Sequence, residues 1–163
     1  MSAFKMEKAL NDHIAEEIYS GYLYLAMAAF CYEKGLNGFA HWMKLQSKEE
    51  WGHAMKIYDF IVQRGGRVQL KEIKKPPADF GSAHPMMKQV LAHEQKVSAA
   101  LNKLYEEAGR LKDNATQVML QWFVGEQVEE EAQVNDILVQ LQFISDKSSA
   151  IFFIDRHLGK REG

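Results

Sequence analysis

The sequence holds one cysteine, Cys31, in 163 residues. No intrachain disulfide can form, and zinc ribbons or rubredoxin-type iron sites, which need several thiolates, are excluded. Cys31 lies between Phe30 and Tyr32 and reads as a small buried hydrophobe. Proline is scarce too: Pro76, Pro77 and Pro85 fall within one short stretch, which leaves the rest of the chain free to be helical. No apolar run approaches the ~20 residues needed to cross a bilayer, so no membrane partner is expected. The opening Met1-Ser-Ala-Phe-Lys lacks the charged and then apolar regions of a secretory signal, which predicts a cytoplasmic protein. A large excess of one charge sign is also missing. Twenty Lys and Arg stand against 22 Asp and Glu, net −2, so there is no broad basic surface and no nucleic acid is expected as partner.

What the chain does contain is a helical pattern. Apolar residues make up 47% and charged residues 26%, an ordinary composition for one domain spanning residues 1–163. Apolar side chains recur at three- and four-residue steps among good helix formers. Glycine and proline signals predict helices over about 6–34, 38–64, 85–109, 114–143 and 147–158. The first two helices, and the third and fourth, are joined by a few residues and must form antiparallel hairpins. The connection between the hairpins, with Gly65, Gly66, Pro76 and Pro77, could extend to roughly 55 Å. A helix of about 27 residues is about 40 Å long. The prediction is therefore all-α: a four-helix bundle with one long crossover between the second and third helices and a short fifth helix. Ala150 to Ile154 in that fifth segment are too apolar to leave in water. They pack either on their own bundle or on other copies of the chain, and both readings stand open.

The inward stripe of each long helix is interrupted near its middle. The first reads Leu10, Ile14, Glu17, Gly21, Tyr24, Ala28, Cys31, and the second Phe39, Met43, Gln46, Glu50, His53, Ile57, Phe60. The third reads Met87, Val90, Glu94, Val97, Leu101, Leu104, Ala108, and the fourth Leu120, Phe123, Gln127, Glu130, Val134, Ile137, Leu141. A single such glutamate would be solvated or ion-paired. Here no stripe carries lysine or arginine, and four buried carboxylates need positive charge from elsewhere. A metal supplies it.

Spacing supports the same conclusion. Glu17 and Glu50 are 33 residues apart, with His53 three further on; Glu94 and Gln127 are also 33 apart, with Glu130 three further on. Residues three apart on a helix can reach one ion. Di-iron carboxylate bundles use one Glu from each of two helices and Glu-x-x-His from each of the others. The first hairpin fits in full; the second has Gln127-Val128-Glu129-Glu130 instead. One ion would take Glu17, Glu50 and His53. The other would take Glu94, Glu130 and a bridging Glu50, an all-oxygen set that holds less tightly. Loose binding suits iron as a substrate that leaves after oxidation. Glu49, Glu126 and Glu129 lie close by in sequence and read either as a solvated face or as a third oxygen site.

The chain resembles bacterial and archaeal non-haem ferritins over nearly its whole length. The resemblance rests on Glu17 with Tyr24, Lys48-Glu49-Glu50-Trp51-Gly52-His53, Arg64-Gly65-Gly66-Arg67-Val68 with Pro76-Pro77, His93-Glu94, and Gln121-Trp122-Phe123 followed by Glu126-Gln127-Val128-Glu129-Glu130-Glu131. It implies a homo-24-mer, a hollow shell with the fifth helix at its four-fold axes, that stores iron and acts as a ferroxidase. Two iron ions (Fe2+/Fe3+) per centre are implied: Glu17, Glu50 and His53 match the first site, and Glu50, Glu94 and Glu130, with Gln127 beside them, the second. Glu49, Glu126, Glu129 and Glu130 match a third. Tyr24 matches a tyrosine beside the centre, either a hydrogen-bond partner or an electron donor. Dioxygen or peroxide would be the oxidant. Trp51-Gly52 stands where bacterioferritins place a haem-ligating methionine, so no haem is expected. The rival reading is a di-iron peroxidase or oxidase on the same fold that keeps its metals and stores no mineral.

Overall fold

The computed structural model describes residues 4–145 and 147–163. Met1 to Ala3, part of the segment read as lacking a secretory signal, lie outside the described residues, as does Asp146. The described residues form five helices: α1 (Glu7–Glu33), α2 (Asn37–Gln63), α3 (Ala83–Arg110), α4 (Asn114–Leu141) and α5 (Ile151–Leu158). Among the described residues no helix is long and apolar enough to cross a membrane.

Three of the four long helices end where the chain turns left-handed. Gly35 and Gly65 both have φ of 72°. The amide of the residue after each bonds back to the last turn, Leu36 N–H to the Cys31 carbonyl and Gly66 N–H to that of Ile61, both at 2.9 Å. This is the Schellman arrangement favoured by glycine. α3 ends at Arg110, one residue beyond the expected end at Gly109, and the chain then turns the same way on Lys112, at φ 58°. Gly109 is instead inside the helix, where the lack of a side chain makes room for α4: a Cβ there would lie 2.5 Å from Gln117 Nε2. α3 also starts before Pro85, which sits in the first turn where its missing N–H costs nothing. α4 is capped by Asp113, which accepts the Thr116 amide at 3.1 Å and the Arg64 guanidinium at 2.9 Å.

The crossover (residues 64–82) runs along α1 from its start to its end. Arg67 N–H donates to Glu7, Gln69 N–H donates to Asn11, Lys74 lies over the Tyr19 ring, and Phe80 stacks edge-on with Phe30. α3 therefore begins at the end of the bundle where α2 began, the topology expected from the length of the connection.

α5 begins at Ile151, later than expected, and lies mainly on α2 with a smaller contact to α4. Asp155 Oδ1 accepts the Phe39 amide at 2.8 Å, so α5 caps a free N–H at the start of α2. The approach is close enough that a Cβ on Gly38 would lie 1.6 Å from the Asp155 carbonyl oxygen. Ile151, Ile154 and Leu158 are buried on the same chain, while Phe152 and Phe153 are exposed. Packing on its own bundle thus describes one face of the segment, and the face with Phe152 and Phe153 is left open.

Nearly every stripe position is buried; Phe60 is half-exposed and Ile61 takes its place inside. Cys31 is buried against Met86, with its thiol pushed up to about 12 by burial. The apolar interior falls into two clusters. One holds Tyr24, Phe39, Met87 and Val134, and the other Leu10, Ile57, Leu101 and Phe123. What divides them is a layer of polar side chains.

Candidate dinuclear metal centre

Glu17 of α1, Gln46, Glu50 and His53 of α2, Glu94 of α3, and Gln127 and Glu130 of α4 make up this layer, all buried. Each helix contributes because its stripe passes through the bundle at the same depth. Among the described residues no lysine or arginine is buried. Glu17, Glu50 and His53 each bring a ligand atom to within 4.8 Å of the other two, and so do Glu50, Glu94 and Glu130. Among the described residues these are the two groups of this kind, and Glu50 belongs to both.

Their hydrogen bonds are unequal. In the first group His13 Nε2 meets Glu17 Oε1 at 2.9 Å, and His53 Nδ1 lies 3.3 Å from Glu50 Oε2 and 3.8 Å from Glu17 Oε2. Glu17 Oε2, Glu50 Oε1 and His53 Nδ1 are buried with no hydrogen-bond partner. An unsatisfied buried polar group costs about 1–3 kcal/mol, more if charged, so three in one place need a common partner. A divalent cation meets the need of all three, and two carboxylates with an imidazole are a donor set that iron accepts. The edges of the Trp122 and Phe123 rings, with centroids 5.6 and 5.7 Å from that of His53, hold the imidazole in place. In the second group Glu94 accepts the Tyr24 hydroxyl and, at 3.0 Å, Gln127 Nε2. Glu130 accepts Gln46 Nε2.

Electrostatics separates the carboxylates. Burial pushes Glu50 well above its ordinary value, and the charge of Glu17 adds to it. Burial also raises Glu94, against the hydrogen bonds of Tyr24 and Gln127, and burial with the charge of Glu94 takes Glu130 up to about 8. Glu17 moves the other way: burial would raise it, but the hydrogen bond with His13 and the nearby His53 imidazole bring it below its ordinary value. Burial alone would lower His53, and the adjoining Glu17 raises it. Burial and the Glu94 charge keep Tyr24 a neutral phenol. Without a cation the layer therefore holds protons.

The remaining residues singled out in the sequence fall elsewhere. Gln127 uses its amide N–H groups on Glu94 and on Ser98 Oγ at 3.1 Å. Glu49 pairs with Arg161 at 2.9 Å, Glu126 is half-buried and Glu129 exposed. Among the described residues no three-ligand group includes Glu49, Glu126 or Glu129. Sequence reasoning passed over His13, although it lies one helical turn before Glu17, a spacing that could have shown it. It placed Gln46 on the stripe without a role, and nothing local to Arg161 pointed to this layer.

The ferritin-like domain family profile matches residues 7–144, which contain every residue of both groups. The chain belongs to the ferritin family. Its ferritin relatives match over nearly full length. The bacterial non-heme ferritin of Bacteroides fragilis is 41% identical over 161 residues, covering 99% of this chain and 100% of the relative. That of Staphylococcus aureus is 38% identical over 154 residues, covering 94% and 93%. In structure, the open-pore ferritin of the hyperthermophilic archaeon Archaeoglobus fulgidus aligns with a TM-score of 0.96 at 44% identity, covering 99% of this chain and 100% of that one. The bundle of this ferritin, with its long crossover and fifth helix, is thus that of its relatives.

Proposed function

We propose that this ferritin stores iron, taking up Fe(II) as substrate at the buried layer and oxidising it there. Fe(II) binds at Glu17, Glu50 and His53, and a second ion binds at Glu50, Glu94 and Glu130, with Glu50 bridging. The observation that carries the reading is the convergence of three buried, partnerless donor atoms on Glu17, Glu50 and His53. Two Fe(II) ions give up two electrons. Where dioxygen is the oxidant it takes them with two protons to give hydrogen peroxide; where peroxide is the oxidant instead, it takes them with two protons to give two waters. Carboxylates compensate the charge gained by the metals and so favour Fe(III). The second group has only oxygen donors and lets its ion leave more readily, as storage requires. Gln127 orients Glu94, and Tyr24 supplies its hydrogen bond from the opposite side. Glu49, Glu126 and Glu129 form an acidic margin beside the pair, where an outgoing ion would next meet oxygen ligands.

Storage requires a container. Phe143, Phe152 and Phe153 near α5, and Tyr22, Leu25, Trp51 and Met55 on the outer face of α1 and α2, are large exposed apolar side chains. Burial between copies accounts for both patches, and a shell of 24 copies, as the resemblance implies, supplies it. An aerobic Fe(II) titration of the metal-free protein, followed by gel filtration, tests the proposal. Iron retained far beyond the capacity of the two groups, in a particle of very high mass, is expected. A plateau at the capacity of the two groups would favour an enzyme with resident metals.

A further inference from the structure

After α5 the chain returns to α2 and presents Arg161 to the polar layer. Arg161 Nη1 donates to Gln46 Oε1 at 3.0 Å and to the Trp42 carbonyl at 3.2 Å. Its Nη2 pairs with Glu49 at 2.9 Å, the guanidinium carbon lies 4.8 Å from the Trp42 ring centroid, and His41 Nε2 donates to the Arg161 carbonyl at 2.8 Å. This arginine is held from several sides. Gln46, fully buried, passes the contact on by donating Nε2 to Glu130.

We propose that Arg161 is a positioning residue for the second metal group, fixing the carboxylate of Glu130 through the Gln46 amide. The inference rests on the dinuclear reading above. A guanidinium can only donate hydrogen bonds, and an amide has one accepting and one donating end. Arg161 therefore requires Gln46 Oε1 to face it, which turns the amide N–H groups toward Glu130. Without Arg161 the amide loses the partner that sets its direction, and turned over it would present oxygen to a carboxylate. The chain segment beyond α5 thereby acts on Glu130, a ligand on α4, without touching an ion itself. The first group lies outside this relay.

Removing Arg161 alone would also leave the Glu49 charge unpaired, which attracts cations and opposes the effect. The decisive variant is R161A/E49Q, whose net charge equals that of the wild type. Assembly is checked by gel filtration, and Co(II) is then titrated without oxygen. The absorption bands separate an ion bound to the His53 nitrogen from one bound to oxygen alone. The second ion is expected to bind about 10–100-fold more weakly, the range for losing an outer hydrogen-bond partner of a ligand, while the first stays within about two-fold. Q46M, which removes the donor itself, should weaken the second ion at least as much. R161K keeps the charge and the pairing with Glu49 but lacks the fork that also reaches Gln46. It should show a smaller loss of the same kind, and it serves as the test if the double variant does not assemble. An unchanged second ion in R161A/E49Q, or equal weakening of both ions, overturns the proposal. Wild-type protein that fails to bind two ions would instead refute the dinuclear reading.

Discussion

Filling the buried layer with metal should release protons, in a number that depends on pH. Without a cation, Glu50, Glu94 and Glu130 all lie above the ordinary carboxylate range, Glu130 at about 8. Metal binding needs the charged form and displaces the proton. At pH 7 Glu130 is protonated in about nine molecules of ten, and at pH 9 in about one of ten. Its share of the release thus falls from about 0.9 to about 0.1 proton per subunit between these values. Glu50, Glu94 and His53, all raised, add to the total, whereas Glu17, lowered, adds none. Zn(II), which cannot be oxidised, isolates binding from later chemistry. The assay adds Zn(II) to metal-free protein in weak buffer and reads a pH indicator. More than one proton per subunit is expected at pH 7, and E130Q should reduce the release by about one. The same groups make the metal-free fold depend on pH. The contribution of Glu130 is fully present below its ordinary 4.5 and is lost as pH rises through about 8. No release at pH 7, or equal release at pH 7 and 9, would refute this account of the layer.

His53→Ala removes the one nitrogen donor of the first group and should abolish rapid Fe(II) oxidation, measured by Fe(III) absorbance, while particle size is unchanged. His13→Leu takes the hydrogen bond from Glu17 and should weaken the first ion by about 10–100-fold in calorimetric Zn(II) titration, whereas His13→Gln keeps a donor and retains most of the affinity. Gly38→Ala would place a methyl group against the Asp155 carbonyl. Loss of that cap and the forced overlap together predict destabilisation of about 2–4 kcal/mol in chemical denaturation, with impaired assembly seen by light scattering.

The helices and the polar layer were legible because both follow from periodicity. Glutamates on otherwise apolar stripes, repeated at one spacing in two hairpins, can come together at only one depth. The bundle brings together Glu17, Glu50, His53, Glu94 and Glu130 as that register requires. Boundaries were less legible. Gly109 reads as a helix stop, yet its small size serves the approach of Gln117, a contact between helices that no local signal carries. Glu49 illustrates the same limit: its place beside Glu50 gives no sign of its ion pair with Arg161, which lies far along the chain.

Fold class, hairpin pairing, the crossover and the members of the two candidate ligand groups all follow from spacing along the chain, because a regular helix converts sequence distance into position on a face. The protonation of those carboxylates, the partnerless atoms of the first group, the capping of α2 by Asp155 and the reach of Arg161 to Gln46 depended on tertiary structure. Each arises between side chains distant in sequence, where burial and orientation, rather than periodicity, set the energy.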